Sequence, residues 1–239
     1  MKKNYLTNML LENLGTSQIN QSTQKNTLKY KKSQEGINKI MTRYEIRVVG
    51  FGGQGVITLS KMIIMASSIY EGLAATQTEA YSAAARGGKC WGEVVIDLDK
   101  NIEYIDYPKA LKPYDFLIVL SEESANGVKV DFVKNEENTG FLIWDPSTIK
   151  KFRAAKKINK VLGIPIQKLA VEKFGNIVFG NSILFGIFTI LSGIFSEESA
   201  LETLRKFVPN STLDKNLEAF ELGKQEAMNF LNQIKEENN

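Results

Sequence analysis

From Tyr44 onward, apolar residues come in short runs whose spacing switches between the strand period and the helix period. "YEIRVVG" reads as a first strand, and Val56 to Tyr70 as a helix with Ile57, Met62, Ile63, Met65, Ala66 and Ile69 available for burial. "LAATQTEAY" and "CWGEVVIDL" read as further strands on either side of the small-residue loop "SAAARGGK", with Glu103 to Ile105 pairing beside the latter. "YDFLIVL" and "GFLIWD" are short apolar runs bounded by polar residues, the pattern of buried parallel strands. A helix over Ile166 to Phe174 returns across the sheet. This alternation predicts an α/β fold: a mainly parallel, doubly wound sheet with flanking helices and a C-terminal helical segment.

Residues 177 to 195, "IVFGNSILFGIFTILSGIF", carry no charge. By length they reach a membrane span, but Asn181, Ser182, Thr189 and Ser192 are too polar for lipid. Ser182, Gly186, Thr189 and Gly193 form a stripe of small side chains on one helical face, which lets another backbone come close. The expectation is a helix buried on all sides, with a partner subunit supplying part of the cover. Two amphipathic helices follow. Ser196 caps the first, with Glu197 and Glu198 in its first turn and Ala200, Leu201, Leu204 and Phe207 inward. The second starts near Leu213 and buries Leu217, Phe220, Ala227, Phe230, Leu231 and Ile234.

Charge changes the picture at one end only. Of 30 basic and 27 acidic residues, seven lysines and two glutamates lie in residues 1–40. The body is therefore nearly neutral, and nucleic-acid binding loses its support. Residues 1–40 are rich in Asn, Gln, Ser, Thr and Lys, the composition of a disordered basic extension, and Met41 is an alternative initiator. The folded domain is expected over 41–239. There is no histidine, which removes His triads, His bases and His metal sites. The single Cys90 cannot form an internal disulfide or hold an iron–sulfur cluster unaided, and it fits a reducing cytoplasm.

Between the first strand and first helix stands "GFGGQG", four glycines in six residues. Gly50, Gly52 and Gly55 match the dinucleotide fingerprint in position and spacing. The acidic residue expected about 20 positions on, to hold a ribose hydroxyl, is missing, since position 75 is Ala and the nearest acids are Glu71 and Glu79. The loop either presents backbone N–H groups to an anion or serves only tight helix–strand packing. "ARGGK" sets the donor fork of Arg86 beside Gly87 and Gly88, as a phosphate or carboxylate contact or as a solvated turn. In a doubly wound sheet both segments leave strands at the carboxyl end, where ligands bind.

"GFGGQGVITLSKMI", "TQTEAY…ARGGK" with "CWGEVVID" behind it, "IDYP" and "FGNSILFG", in this order, resemble the gamma subunits of 2-oxoacid:ferredoxin oxidoreductases. The likeness runs from about Thr42 to Leu231. Phe51 and the Arg-Gly-Gly stretch look more like the 2-oxoglutarate branch than the pyruvate branch. Ser82, Ala83 and Ala84 depart from the family pattern, which has Gly after the tyrosine. The resemblance implies a subunit, inactive alone, of a complex that decarboxylates a 2-oxoacid and passes electrons to ferredoxin, releasing acyl-CoA. It implies thiamine diphosphate, magnesium and iron–sulfur clusters on other subunits, with CoA as co-substrate and no cofactor firmly assigned to this chain. Alpha, beta and an optional delta subunit are the implied partners, with no nucleic acid and no membrane. The candidate binding residues are Gly50, Gly52, Gly53, Gln54, Gly55, Thr78, Tyr81, Arg86, Gly87 and Gly88; no catalytic or metal-ligating residue is assigned. The competing readings are an NAD- or FAD-dependent oxidoreductase and a non-enzymatic assembly subunit.

Overall fold

The structure, a computed structural model, describes residues 42–81, 88–135 and 139–237. The expectations for the tail, for Met41, for Ser82 to Ala84 and for Arg86 and Gly87 lie outside the described residues. Six strands form one sheet: β1 (Arg43–Phe51), β2 (Ala75–Tyr81), β3 (Lys89–Asp97), β4 (Phe116–Val119), β5 (Phe141–Trp144) and β6 (Val161–Gly163), in the order β2-β3-β1-β4-β5-β6. β1, β4, β5 and β6 are mutually parallel, and β3 is antiparallel to both of its neighbours. β2 therefore points the same way as β1, and β3 alone runs against the rest.

β3 sits between β1 and β2, paired with β1 from Arg43↔Asp97 to Phe51↔Lys89. That insertion explains why Glu103 to Ile105 form no strand: both edges of β3 are already taken, by β1 and by β2. The stretch after β3 instead runs irregularly, tied to the sheet where Arg43 donates to the Tyr107 carbonyl at 3.0 Å and Leu111 N–H donates to Glu45 at 3.1 Å.

Alternation along the strands divides the core in two. Ile46, Val48, Val94, Ile96, Phe116 and Ile118 face a layer of helices, whereas Val49, Val95, Leu117, Val119 and Leu142 face short turns and irregular chain. The helical layer holds α1 (Val56–Met65), α3 (Ile166–Phe174), α4 (Gly180–Ser192), α5 (Glu197–Phe207) and α6 (Leu213–Glu237); the short α2 (Glu122–Asn126) follows β4 on the other face.

α1 buries Val56, Leu59, Ser60, Met62 and Ile63. Its serine face can approach the sheet because Gly92 in β3 has no Cβ, and Ser60 Oγ occupies that place. After Met65 the helix widens into a π turn over Ala66–Tyr70, which rotates the face by an extra residue. Ile69, expected inside, is 69% exposed for this reason, and Ile57 and Met65 are only half-buried.

α4 is apolar on every side, as expected, but its cover comes from its own chain. One side packs on the sheet, where the Phe188 and Phe116 rings lie 4.7 Å apart. The small-residue side meets α6. A Cβ on Gly186 would collide with the Phe220 carbonyl, and a Cβ on Gly223 would collide with the Ile183 carbonyl. Ser182 adds a buried hydrogen bond to Asn216 at 2.7 Å. The partner subunit expected on this face is not needed to bury it. Among the described residues no helix is long and apolar enough to cross a membrane.

Ser196 caps α5 through Ser199 N–H, with Glu197 and Glu198 in the first turn, as read from the sequence. Glu71, at the end of the π turn, reinforces that cap by accepting from Ser196 N–H and Ser199 Oγ, both at 2.7 Å. These bonds hold its carboxyl below the usual carboxylate range.

Candidate functional site

β1 delivers the glycine loop to the carboxyl end of the sheet, and each glycine there has a separate reason. Gly50 leaves no room for a side chain, since a Cβ would lie 2.7 Å from Gln54 Oε1 and 3.2 Å from Leu120 Cβ. Gly53 and Gly55 hold positive φ angles of 94° and 75°, which side-chain-bearing residues avoid. A Cβ on Gly55 would also collide with the Asn181 carboxamide. Gly52 N–H donates to the Gly88 carbonyl at 3.0 Å, so the glycine loop and the end of "ARGGK" do meet.

Gln54 serves the loop itself. Its Oε1 accepts from Phe51 N–H at 2.7 Å, and its Nε2 donates to the Leu120 carbonyl at 2.8 Å. The side chain expected to meet a ligand thus fastens the turn to the end of β4.

The loop floors an open cleft of about 380 Å³. α1 starts here with no side-chain cap, so the N–H groups of its first turn have no helical partner. Val56, Ile57 and Thr58 line the cleft beside the glycines. The walls are Tyr81, Cys90, Ile177, Val178 and Asn181, with Tyr81 and Val178 exposed at 62% and 60%. Backbone donors at the base of a cleft of mixed polarity suit an anionic group carried on a larger, partly apolar molecule. Burial pushes the Cys90 thiol up, which keeps it neutral. The described lining offers no carboxylate, ammonium or guanidinium for proton transfer.

Thr78 does not join this cleft. Strand alternation puts it on the opposite face, where its hydroxyl lies 3.4 Å from Glu93, itself ion-paired with Arg47. The sequence reading in turn passed over Asn181, Ile177 and Val178. They stand in or beside "FGNSILFG", which the sequence marks as a family motif and a buried helix but not as a wall of the glycine-loop cleft. The acids that a dinucleotide site would need are occupied elsewhere: Glu71 caps α5, and Glu79 lies 3.8 Å from Lys61. Among the described residues no group of three or more His, Cys, Asp or Glu side chains could hold a metal ion. An iron–sulfur cluster needs several thiolates, and one buried cysteine does not fit it.

The family described as pyruvate ferredoxin/flavodoxin oxidoreductase matches residues 45–226. This chain belongs to that family. It is 36% identical to the 2-oxoglutarate synthase subunit KorC of Methanothermobacter thermautotrophicus over 191 residues, covering 78% of this chain and 96% of the relative. The subunit of the same name from Methanocaldococcus jannaschii is 33% identical over 185 residues, covering 77% and 94%. Among solved structures, the keto/oxoacid ferredoxin oxidoreductase gamma subunit of Geobacter sulfurreducens superposes with a TM-score of 0.63 at 28% identity, covering 77% of this chain and 98% of that one. The match of this oxidoreductase-family chain spans β1 from Glu45 on, the glycine loop, the described cleft walls and the α4–α6 crossing at Gly186 and Gly223. The NAD or FAD reading is not favoured.

Proposed function

We propose that this chain is the gamma subunit of a 2-oxoacid:ferredoxin oxidoreductase of the 2-oxoglutarate synthase type, working in the cytoplasm. The assembled enzyme oxidises 2-oxoglutarate with CoA to succinyl-CoA and CO2, and the two electrons released reduce ferredoxin. The observation that carries this reading is the 36% identity to a 2-oxoglutarate synthase subunit along almost the whole of that relative. The single cysteine agrees with it, since the clusters must then be ligated by alpha, beta or delta chains. Thiamine diphosphate, bound with magnesium on those chains, supplies carbanion stabilisation and accepts the electrons.

The residues of this chain bind and orient. The N–H groups of Gly53 and Gly55 and of the first turn of α1 receive a phosphate of CoA, and the helix dipole adds to their pull. Tyr81, Ile177 and Val178 line the path of its less polar arm, and Gln54 keeps the floor rigid. Arg86, Gly87 and Gly88 complete the anion site from the loop that follows β2. No residue of this chain transfers a proton in the scheme.

The test is affinity purification of the tagged chain, followed by ferredoxin reduction with a panel of 2-oxoacids and CoA. Co-purifying thiamine- and cluster-bearing subunits, with turnover on 2-oxoglutarate, are expected. A chain that purifies alone from its native host, or a complex that reduces NAD and ignores ferredoxin, overturns the proposal.

A further inference from the structure

We propose that the outer edge of β2 pairs with the β2 of a second copy of this chain, the two strands running antiparallel about a two-fold axis at Thr78.

β2 ends the sheet, and among the described residues no strand lies on its outer side. Edge strands of soluble proteins are normally blunted by proline, lysine or a bulge. β2, "ATQTEAY", has no proline or lysine, its one charge, Glu79, is set against Lys61 of α1, and its register with β3 runs unbroken from Ala75↔Ile96 to Tyr81↔Cys90. The phase of its hydrogen bonds is fixed by Asp97 N–H, which donates to the Ala74 carbonyl at 2.8 Å. By alternation, Thr76, Thr78 and Ala80 turn their backbone groups to β3, while Ala75, Gln77, Glu79 and Tyr81 turn theirs outward. A second copy would satisfy those four residues on each strand, with about eight N–H···O bonds in all.

The side chains select the register. Ala75, Gln77, Glu79 and Tyr81 share the helix-covered face. With the axis at Thr78, Gln77 stands opposite Glu79 of the second copy, and Ala75 stands opposite its Tyr81. Gln77 Nε2 is buried with no hydrogen-bond partner, and a carboxylate across the axis supplies one. Tyr81, 62% exposed, gains a small residue to lie against. An axis at Glu79 would oppose two carboxylates, and an axis at Gln77 would leave Tyr81 beyond the paired strand. The contact is self-complementary, as a two-fold interface requires.

The experiment uses the full-length chain, alone and in its co-purified complex, carrying Thr78→Cys. Across the axis these positions form a non-hydrogen-bonded pair with Cα atoms about 4.5 Å apart, within disulfide range. Mild oxidation is expected to convert most of the chain to a disulfide dimer on a non-reducing gel. Ala80→Cys, whose counterpart across the axis is Thr76, should not cross-link. Adding Glu79→Lys, which sets a second donor against Gln77, should cut the Thr78→Cys cross-link at least tenfold while the thermal melt keeps its shape. Should Thr78→Cys misfold, light scattering on the wild-type chain and on Glu79→Lys decides, with a dimer expected for the first and a monomer for the second. Absence of the cross-link both alone and in the complex overturns the proposal. So does equal cross-linking at Ala80→Cys, or a cross-link to a different subunit.

Discussion

Replacing Gly186 by alanine sets two effects of opposite sign against each other. Alanine is the better helix former, which alone would stabilise α4 by about 1 kcal/mol. The added methyl, however, lands on backbone: it overlaps the Phe220 carbonyl oxygen and lies 3.0 Å from the Lys224 nitrogen. Backbone cannot swing aside as a side-chain tip can, so α4 and α6 must move apart by about 1 Å to reach normal contact distance, a gap that forfeits a quarter to a half of each dispersion contact along the seam. Overpacking of this kind costs about 1–3 kcal/mol and occasionally more. With two helices shifting, the upper end applies, and a net loss of about 2 kcal/mol remains after the propensity gain. For a chain of this size that lowers Tm by roughly 4–8 °C. Thermal and urea unfolding followed by circular dichroism measure it. Gly223→Ala, which overlaps the Ile183 carbonyl, should cost a similar amount. The double variant should cost less than the sum, because helices already parted for one methyl have room for the other. Gly127→Ala is the control, since nothing lies closer to its Cβ than the Ser124 carbonyl at 3.7 Å. A Gly186→Ala chain as stable as the wild type would refute the close crossing.

The remaining predictions concern the α5 cap, the cleft and the tail. Glu71→Gln should lower stability by about 1 kcal/mol at pH 7, through the lost charge-assisted bonds to Ser196 and Ser199. Because the folded carboxyl titrates below its unfolded value of 4.5, this contribution is full above that value and is lost as pH falls through the folded one. The gap in Tm between wild type and variant should therefore close at low pH; a constant gap refutes the cap. Arg86→Ala in the assembled complex should raise the apparent KM for CoA roughly 10- to 100-fold, matching a charge-assisted contact of about 1.5–3 kcal/mol, with the size-exclusion profile unchanged. Normal CoA kinetics in an intact complex would leave that loop a structural role only. Translation from Met41 should preserve assembly and turnover, and loss of either would give residues 1–40 a docking role.

The features legible in the sequence are those that depend on neighbours along the chain. The start of α1 at Val56, the span of α3, the Ser196 cap and the start of α6 at Leu213 follow from period and capping chemistry, which act over a few residues. Pairing across long separations left no local trace, so the insertion of β3 between β1 and β2 was hidden, and Glu103 to Ile105 were expected beside a strand whose two edges are already taken. The small-residue stripe on α4 announced that a backbone comes close but not that the backbone belongs to α6. At the site, the glycines declared a tight, backbone-lined loop. Gln54 reads as a ligand contact, and the fold adds what sequence cannot carry: the residue lines the cleft while its amide turns back to Leu120. Thr78 and Tyr81 sit three apart on one strand, and an odd spacing sends them to opposite faces.

The dependence of α4 on α6 also imposes an order on biosynthesis. The uncharged helix ends at Ser192, while the helix that covers its small-residue face is complete only at Glu237. At translation rates of roughly 5–20 residues per second, the ribosome takes about 2–9 s to make the intervening chain. Through that interval a strongly apolar segment stands uncovered beside an otherwise finished sheet, a target for chaperones and for aggregation. Nascent chains released before α6 would never leave that state, so premature termination here should yield protein that is degraded rather than a shortened subunit.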